Sequence, residues 1–150
     1  MSRERVEKDY IVSNLIVAGV DLDPKRATAI LGGKPTRTLR RGEATTRELP
    51  NGTHEEIGVT ARAGFWRRPI PKRFWHWDVV SQIEYWCDRL EVRSSGVQML
   101  ISSGCTVTID LYASSGGVVL MRLEPGLLNR LADLGVSVRI GVYNSATFGS

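Results

Sequence analysis

From Cys105 to Ala113 the chain reads "CTVTIDLYA", in which Cys105, Val107, Ile109, Leu111 and Ala113 alternate with Thr106, Thr108, Asp110 and Tyr112. Successive side chains of a β-strand leave the backbone on opposite sides, so a period of two predicts a strand. Here one side is apolar and the other polar, which places the strand in a sheet that buries a single face. The last strand repeats the pattern: Val136, Val138, Ile140 and Val142 face one way, opposite Ser137, Arg139, Gly141 and Tyr143. A third candidate, "YIVSNLIVAG" from Tyr10 to Gly19, is β-branched and apolar on both alternating faces and suits a central strand.

Helix signals fall between these strands. Asp23 before Pro24 is an N-cap followed by a proline at the first helical position. Ala27, Ile30 and Leu31 then share a face, and Gly32 can take the left-handed conformation that ends the helix. Ser81 and Glu84 have capping-box spacing ahead of Ile83, Trp86, Cys87 and Leu90, which also share a face. Pro125 opens a third helix with Leu127, Leu128, Leu131 and Leu134 inward and Gly135 at its end. "SSGVQMLISSG" adds a short helical turn, and Asn51 with Gly52 marks a hairpin whose arms are polar. Phe74 to Val79 is predicted as a strand, and so is Val118 to Leu123, returning through a "SSGG" turn.

Helices between single-sided strands and hairpins predict an α+β fold: a mixed or antiparallel sheet with about three helices packed on one face. At 150 residues this is a single-domain sandwich, long enough to bury roughly 70% of its unfolded surface. Residues 1–9 are expected to form a flexible lead, and residues 43–73 a basic hairpin and loop insert. No apolar run approaches the ~20 residues of a membrane-spanning helix. The charged start "MSRERVEKDY" differs from a secretory signal, so a cytoplasmic location is expected.

Charge is the uneven feature. The net charge is +4, yet Lys34 to Arg73 alone holds ten basic residues against four acidic ones. Within it, Arg37, Arg40, Arg41, Arg67, Arg68, Lys72 and Arg73 interleave with Trp66 and Phe74, the ingredients of phosphate contact with base stacking or of carboxylate pairing with an apolar anchor. Trp66, in a loop broken by Pro69 and Pro71, is expected to be exposed, whereas Trp75, Trp77 and Trp86 are assigned to the core. The competing reading makes the tryptophans core and the arginines a solubilising surface.

Reaction signatures are missing by comparison. Cys87 and Cys105 sit at apolar positions and read as buried thiols. His54 and His76 have no His, Cys or paired carboxylate at ligand spacing, so neither a metal nor a cofactor is expected. "LGGKPT" lacks the Gly-Lys-Ser/Thr ending of a phosphate loop, and its glycines follow a helix instead of preceding one. Asp78 and Asp110 read as solvated or ion-paired carboxylates.

The succession "GVDLDPKRATAILGGKPTRTLRRGE", then "WHWDVVS", "IEYWCDRL" and the closing "LNRLADLGVSVRIGVYNS" resembles a bacterial family, domain of unknown function 4279. The resemblance covers most of the chain and departs from the family pattern in the arginine-rich insert between Gly42 and Phe74. It implies a small stand-alone bacterial α+β domain and supplies no catalytic residues.

The expectation is therefore a non-enzymatic binding module of accessory or immunity type, engaging an acidic protein surface through Arg37, Arg40, Arg41, Trp66, Arg67, Arg68, Lys72 and Arg73. Nucleic-acid binding through the same patch is the alternative, and an enzyme acting on an anionic small molecule the third. An edge strand would also permit pairing into a homo-oligomer.

Overall fold

The computed structural model describes residues 10–115 and 119–144. Along the chain run β1 (Tyr10–Gly19), α1 (Pro24–Leu31), β2 (Arg37–Leu39), β3 (Ala44–Glu48), β4 (His54–Thr60), β5 (Gly64–Pro69), a 3-10 turn (Lys72–Phe74), α2 (Val79–Glu91), α3 (Ser94–Ser102), β6 (Thr106–Ser115), α4 (Pro125–Leu134) and β7 (Ser137–Asn144). The main sheet has the order β2-β5-β1-β6-β7. All its pairings are antiparallel except β6 with β7, which run parallel and are joined through α4. The α+β class and mixed sheet are as the sequence predicts, with four α-helices among the described residues instead of about three.

The alternation does set the layers. Ser13, Leu15 and Val17 of β1, Trp66 of β5, and Val107, Ile109, Leu111 and Ala113 of β6 are buried on the helix side of the sheet. Against them lie Val79, Ile83, Trp86, Cys87 and Leu90 of α2, Ala27 and Leu31 of α1, Val97 and Leu100 of α3, and Leu127, Leu131 and Leu134 of α4. The two indoles buried in this layer are matched: Trp86 Nε1 donates to Ser13 Oγ at 2.9 Å, and Trp66 Nε1 to Thr28 Oγ1 at 3.0 Å, whereas Gln82 Oε1 and the Tyr85 hydroxyl are buried without a partner. Burial without a partner would cost each indole about 1–3 kcal/mol. Gly64 lets β5 cross the turn after β1, because a Cβ there would overlap the Leu22 carbonyl.

Several predicted boundaries move. α1 begins as expected, with Asp23 accepting from Lys25 N at 3.0 Å, and ends on Gly32 at φ 74°. α2 is capped by Asp78, whose Oδ1 accepts from Ser81 N at 2.7 Å, so Ser81 lies inside the helix instead of capping it. Phe74 to Val79 is correspondingly no strand: it holds the end of the 3-10 turn, a further turn and the start of α2. Buried Gln82 ties that turn to the sheet, its Nε2 donating to the carbonyls of Ile11 (2.7 Å), Phe74 (3.2 Å) and Trp77 (3.2 Å). Trp86 is core, while Trp75 and Trp77 are half-buried against the core edge. Of the expected "SSGG" turn, Ser114 and Ser115 are the last residues of β6 and the two glycines lie outside the described residues, as does the 1–9 lead. Of the strand expected at Val118 to Leu123, Val118 lies outside the described residues and 119–123 carry no strand pairing among them; β6 is paired instead with β1 on one side and β7 on the other.

The expected hairpin forms as β3–β4, a separate two-stranded sheet whose β4 residues are all exposed. It stands on two bonds at its base, Gly42 N to Ala61 O and Ala61 N to Glu43 O, both 2.8 Å.

Both cysteines are free and buried. Burial pushes the Cys87 thiol from its ordinary 9.0 up to about 11, the nearby Arg130 opposing this in part. The folded state therefore holds this proton more tightly than the unfolded chain does. The stabilisation is complete below pH 9 and is lost as pH rises from about 9 to about 11. Cys87→Ser is expected to flatten that stretch of the stability–pH curve, measured by urea unfolding at pH 8 to 11; an unchanged slope would show that Cys87 is not its source.

Candidate functional site

α1, α2 and α3 pack against one side of the sheet, α4 joins the same core against α2 and α3, and the opposite side is covered by no helix among the described residues. β5 distributes its side chains between the two. Trp66 is fully buried, 0% exposed, on the helix side beside α1, so it is a core residue and not the exposed anchor expected from its basic neighbours. The cause is the strand period: Arg67 and Arg68 flank the indole on one side only in sequence, and in the strand they point to opposite faces.

The basic residues consequently part into four groups. Arg67 lies on the uncovered face and stands directly opposite Arg37 of β2 in the antiparallel register. Neither forms an ion pair among the described residues, and Arg67 Nε is buried without a hydrogen-bond partner. Arg40 and Arg41 go elsewhere, pairing with Asp23 at 3.1 Å and Asp21 at 3.4 Å beside the start of α1. Lys72 and Arg73 lie over the rings of Trp75 (5.5 Å) and Phe74 (4.6 Å) at the end of the sheet. Arg68 turns to the helix side, where its Nη1 approaches the Gly32 carbonyl at 3.4 Å. The two arginine clusters of the sequence therefore meet only through Arg37 and Arg67.

Around that pair the uncovered face is partly apolar. Register places Ile16 beside Arg67, Phe65 opposite Leu39, and Ala18 beside Phe65. Arg37 and Arg62 line a cavity of about 380 Å³ between this part of the sheet and the hairpin base, with Leu39, Phe65 and Ala18 as its apolar wall. Arg62 was not singled out by the sequence reading, which had only its membership of the basic segment to go on.

The other end of the same face is neutralised. Asp110 is enclosed, 3% exposed, and holds Arg139 from the adjacent strand, Nε to Oδ1 at 2.8 Å and Nη2 to Oδ2 at 3.5 Å. Hydrogen bonding to Asp110 first, and then to the Tyr112 hydroxyl, pushes the Arg139 guanidinium above its ordinary pKa. Sequence spacing could not pair them, because the parallel β6–β7 register does so across the α4 crossover.

On the helix side, His76, Asp78, Ser81, Glu84 and Asp88 border an open cleft of about 590 Å³. Asp78 is engaged as the α2 cap, and no group of three or more His, Cys, Asp or Glu residues suited to a metal occurs among the described residues. No helix of the described residues is long and apolar enough to cross a membrane.

Residues 9–145 match the family model described as Domain of unknown function (DUF4279), so the chain belongs to that family. No curated protein and no solved structure matches the chain.

Proposed function

We propose that this DUF4279 member is a cytoplasmic binding module, a bacterial accessory or immunity-like protein, that engages an acidic protein surface through the uncovered face of its sheet. The observation that supports this reading is the Arg37–Arg67 pair. Like charges directly opposite on one face of a sheet repel, which costs stability in the free protein. A carboxylate placed between the two guanidiniums would relieve that repulsion and accept charge-assisted bonds from both. Phe65 and Leu39 beside them supply the apolar contact that Trp66, in the core, does not.

Phe65 also favours a second reading, because an aromatic ring sharing a face with two arginines is the composition of a single-strand stacking platform. Fluorescence anisotropy with a labelled poly-glutamate peptide and with labelled single-stranded DNA and RNA separates the two. Saturable binding of the peptide, with neither oligonucleotide bound even at low salt, is the expected result. Oligonucleotide binding without peptide binding would replace the first reading with the second.

A further inference from the structure

A second group of arginines converges at the opposite side of the sheet. Where α1 ends, Gly32, Gly33, Arg68, Arg89, Arg93 and Asp88 line a cavity of about 330 Å³. Two of its guanidiniums are fixed by the helix end itself: Arg93 Nη1 donates to Ile30 O at 3.0 Å, and Arg68 Nη1 lies 3.4 Å from Gly32 O. Gly33, at φ 78°, is what seats Arg68, since a Cβ at this position would overlap its guanidinium. Arg89 rests on the Tyr85 ring, 4.0 Å from its centroid.

None of these three arginines forms an ion pair among the described residues. The one acid in the wall, Asp88, already gives Oδ1 to Arg130 at 2.6 Å. The helix carbonyls engage a single nitrogen of Arg68 and of Arg93, and the remaining N–H groups have no partner among the described residues. Held in place before any ligand arrives, they would lose little freedom on binding one.

We infer that this cavity is a binding site for a small dianion of the phosphate-monoester class, separate from the acidic-partner face. Three cations against an already paired carboxylate call for about two negative charges. Tetrahedral oxyanions match the fork of an arginine, which presents parallel N–H donors. A volume of about 330 Å³ sits at the small end of ligand sites, room for a phosphoryl group with a small body and not for a dinucleotide. Leu31 and Val92 form the apolar wall for that body.

Isothermal titration with phenyl phosphate at fixed ionic strength tests the site, using the full chain, Arg89→Gln and Arg41→Gln. Arg89 is exposed and bonds no backbone group in the structure, so its replacement leaves the helix end intact; equal thermal midpoints check this. Saturable binding one-to-one by the full chain and by Arg41→Gln, weakened about tenfold or more in Arg89→Gln, is the expected outcome. Absence of saturable heat with the full chain, or equal affinity in the folded Arg89→Gln variant, would overturn the site.

Discussion

Trp66→Ala is expected to lower the unfolding free energy by about 3–5 kcal/mol, the range for deleting a large buried aromatic side chain. For a domain of this length that corresponds to a fall in thermal midpoint of roughly 6–20 °C. Two effects contribute. The indole is fully buried between β5 and α1, so its removal leaves a cavity, and Thr28 Oγ1 loses the donor it now accepts from at 3.0 Å. Trp66→Phe separates them: it retains most of the ring volume while removing the donor, and is expected to fall between the wild type and Trp66→Ala. The same indole on a protein surface would be replaced by alanine with a change within about 0.5 kcal/mol. A melt of Trp66→Ala within 2 °C of the wild type would therefore place the residue outside the core.

Trp66 also shows where sequence reasoning stops. β1, α1, the hairpin, β6, α4 and β7 were legible because each carries its own period or cap. Asp23 and Pro24 begin α1 and Gly32 ends it; Cys105 to Ala113 alternates; Pro125 and Gly135 bracket α4. β5 was not legible in the same way. Pro69 and Pro71 make "GFWRRPIP" read as a broken loop, yet Pro69 ends the strand beyond the residues that β2 pairs with, so on that side β5 is an edge where a missing N–H breaks no ladder bond. Once β5 is a strand, its neighbours in sequence separate: Trp66 and Arg68 turn inward and Arg67 outward.

The start of α2 is ambiguous in sequence for a related reason. Asp78 and Ser81 both qualify as caps, three residues apart; Asp78 is the one used, at the end of a turn that the two N–H groups of Gln82 Nε2, shared among the Ile11, Phe74 and Trp77 carbonyls, hold on β1. The candidate site was legible as composition and not as geometry. Counting charges found the basic segment, but the acids that neutralise Arg40 and Arg41 lie some twenty residues earlier in sequence, and Arg37 meets Arg67 only through sheet register. Arg89 and Arg93 lie outside the segment altogether, and their only sequence signal is the (i, i+4) spacing of Tyr85 and Arg89 on α2.

The division of the arginines has a quantitative consequence for partner binding. Each charge-assisted hydrogen bond lost from an interface costs about 1.5–3 kcal/mol, and replacing a donor by a carboxylate adds repulsion. The double variant Arg37→Glu/Arg67→Glu is thus expected to weaken binding of an acidic peptide by on the order of 100-fold or more. Reversing Arg40 and Arg41 changes the net charge by the same amount, but these side chains are already paired with Asp23 and Asp21 and exposed to solvent. Their reversal breaks those two exposed pairs and, towards a partner on the uncovered face, removes only long-range attraction, which salt screens over about 8 Å at physiological ionic strength. It is expected to weaken binding less than tenfold.

Both double variants keep the helix-side core untouched, and circular dichroism with thermal melts checks that each is folded. The most direct measurement is the affinity of the wild type and the two double variants for the poly-glutamate peptide, side by side at physiological salt. A loss on the order of 100-fold for Arg37→Glu/Arg67→Glu and under tenfold for Arg40→Glu/Arg41→Glu is the predicted result. Equal losses in the two would contradict the uncovered face as the binding surface and reduce the attraction to net charge.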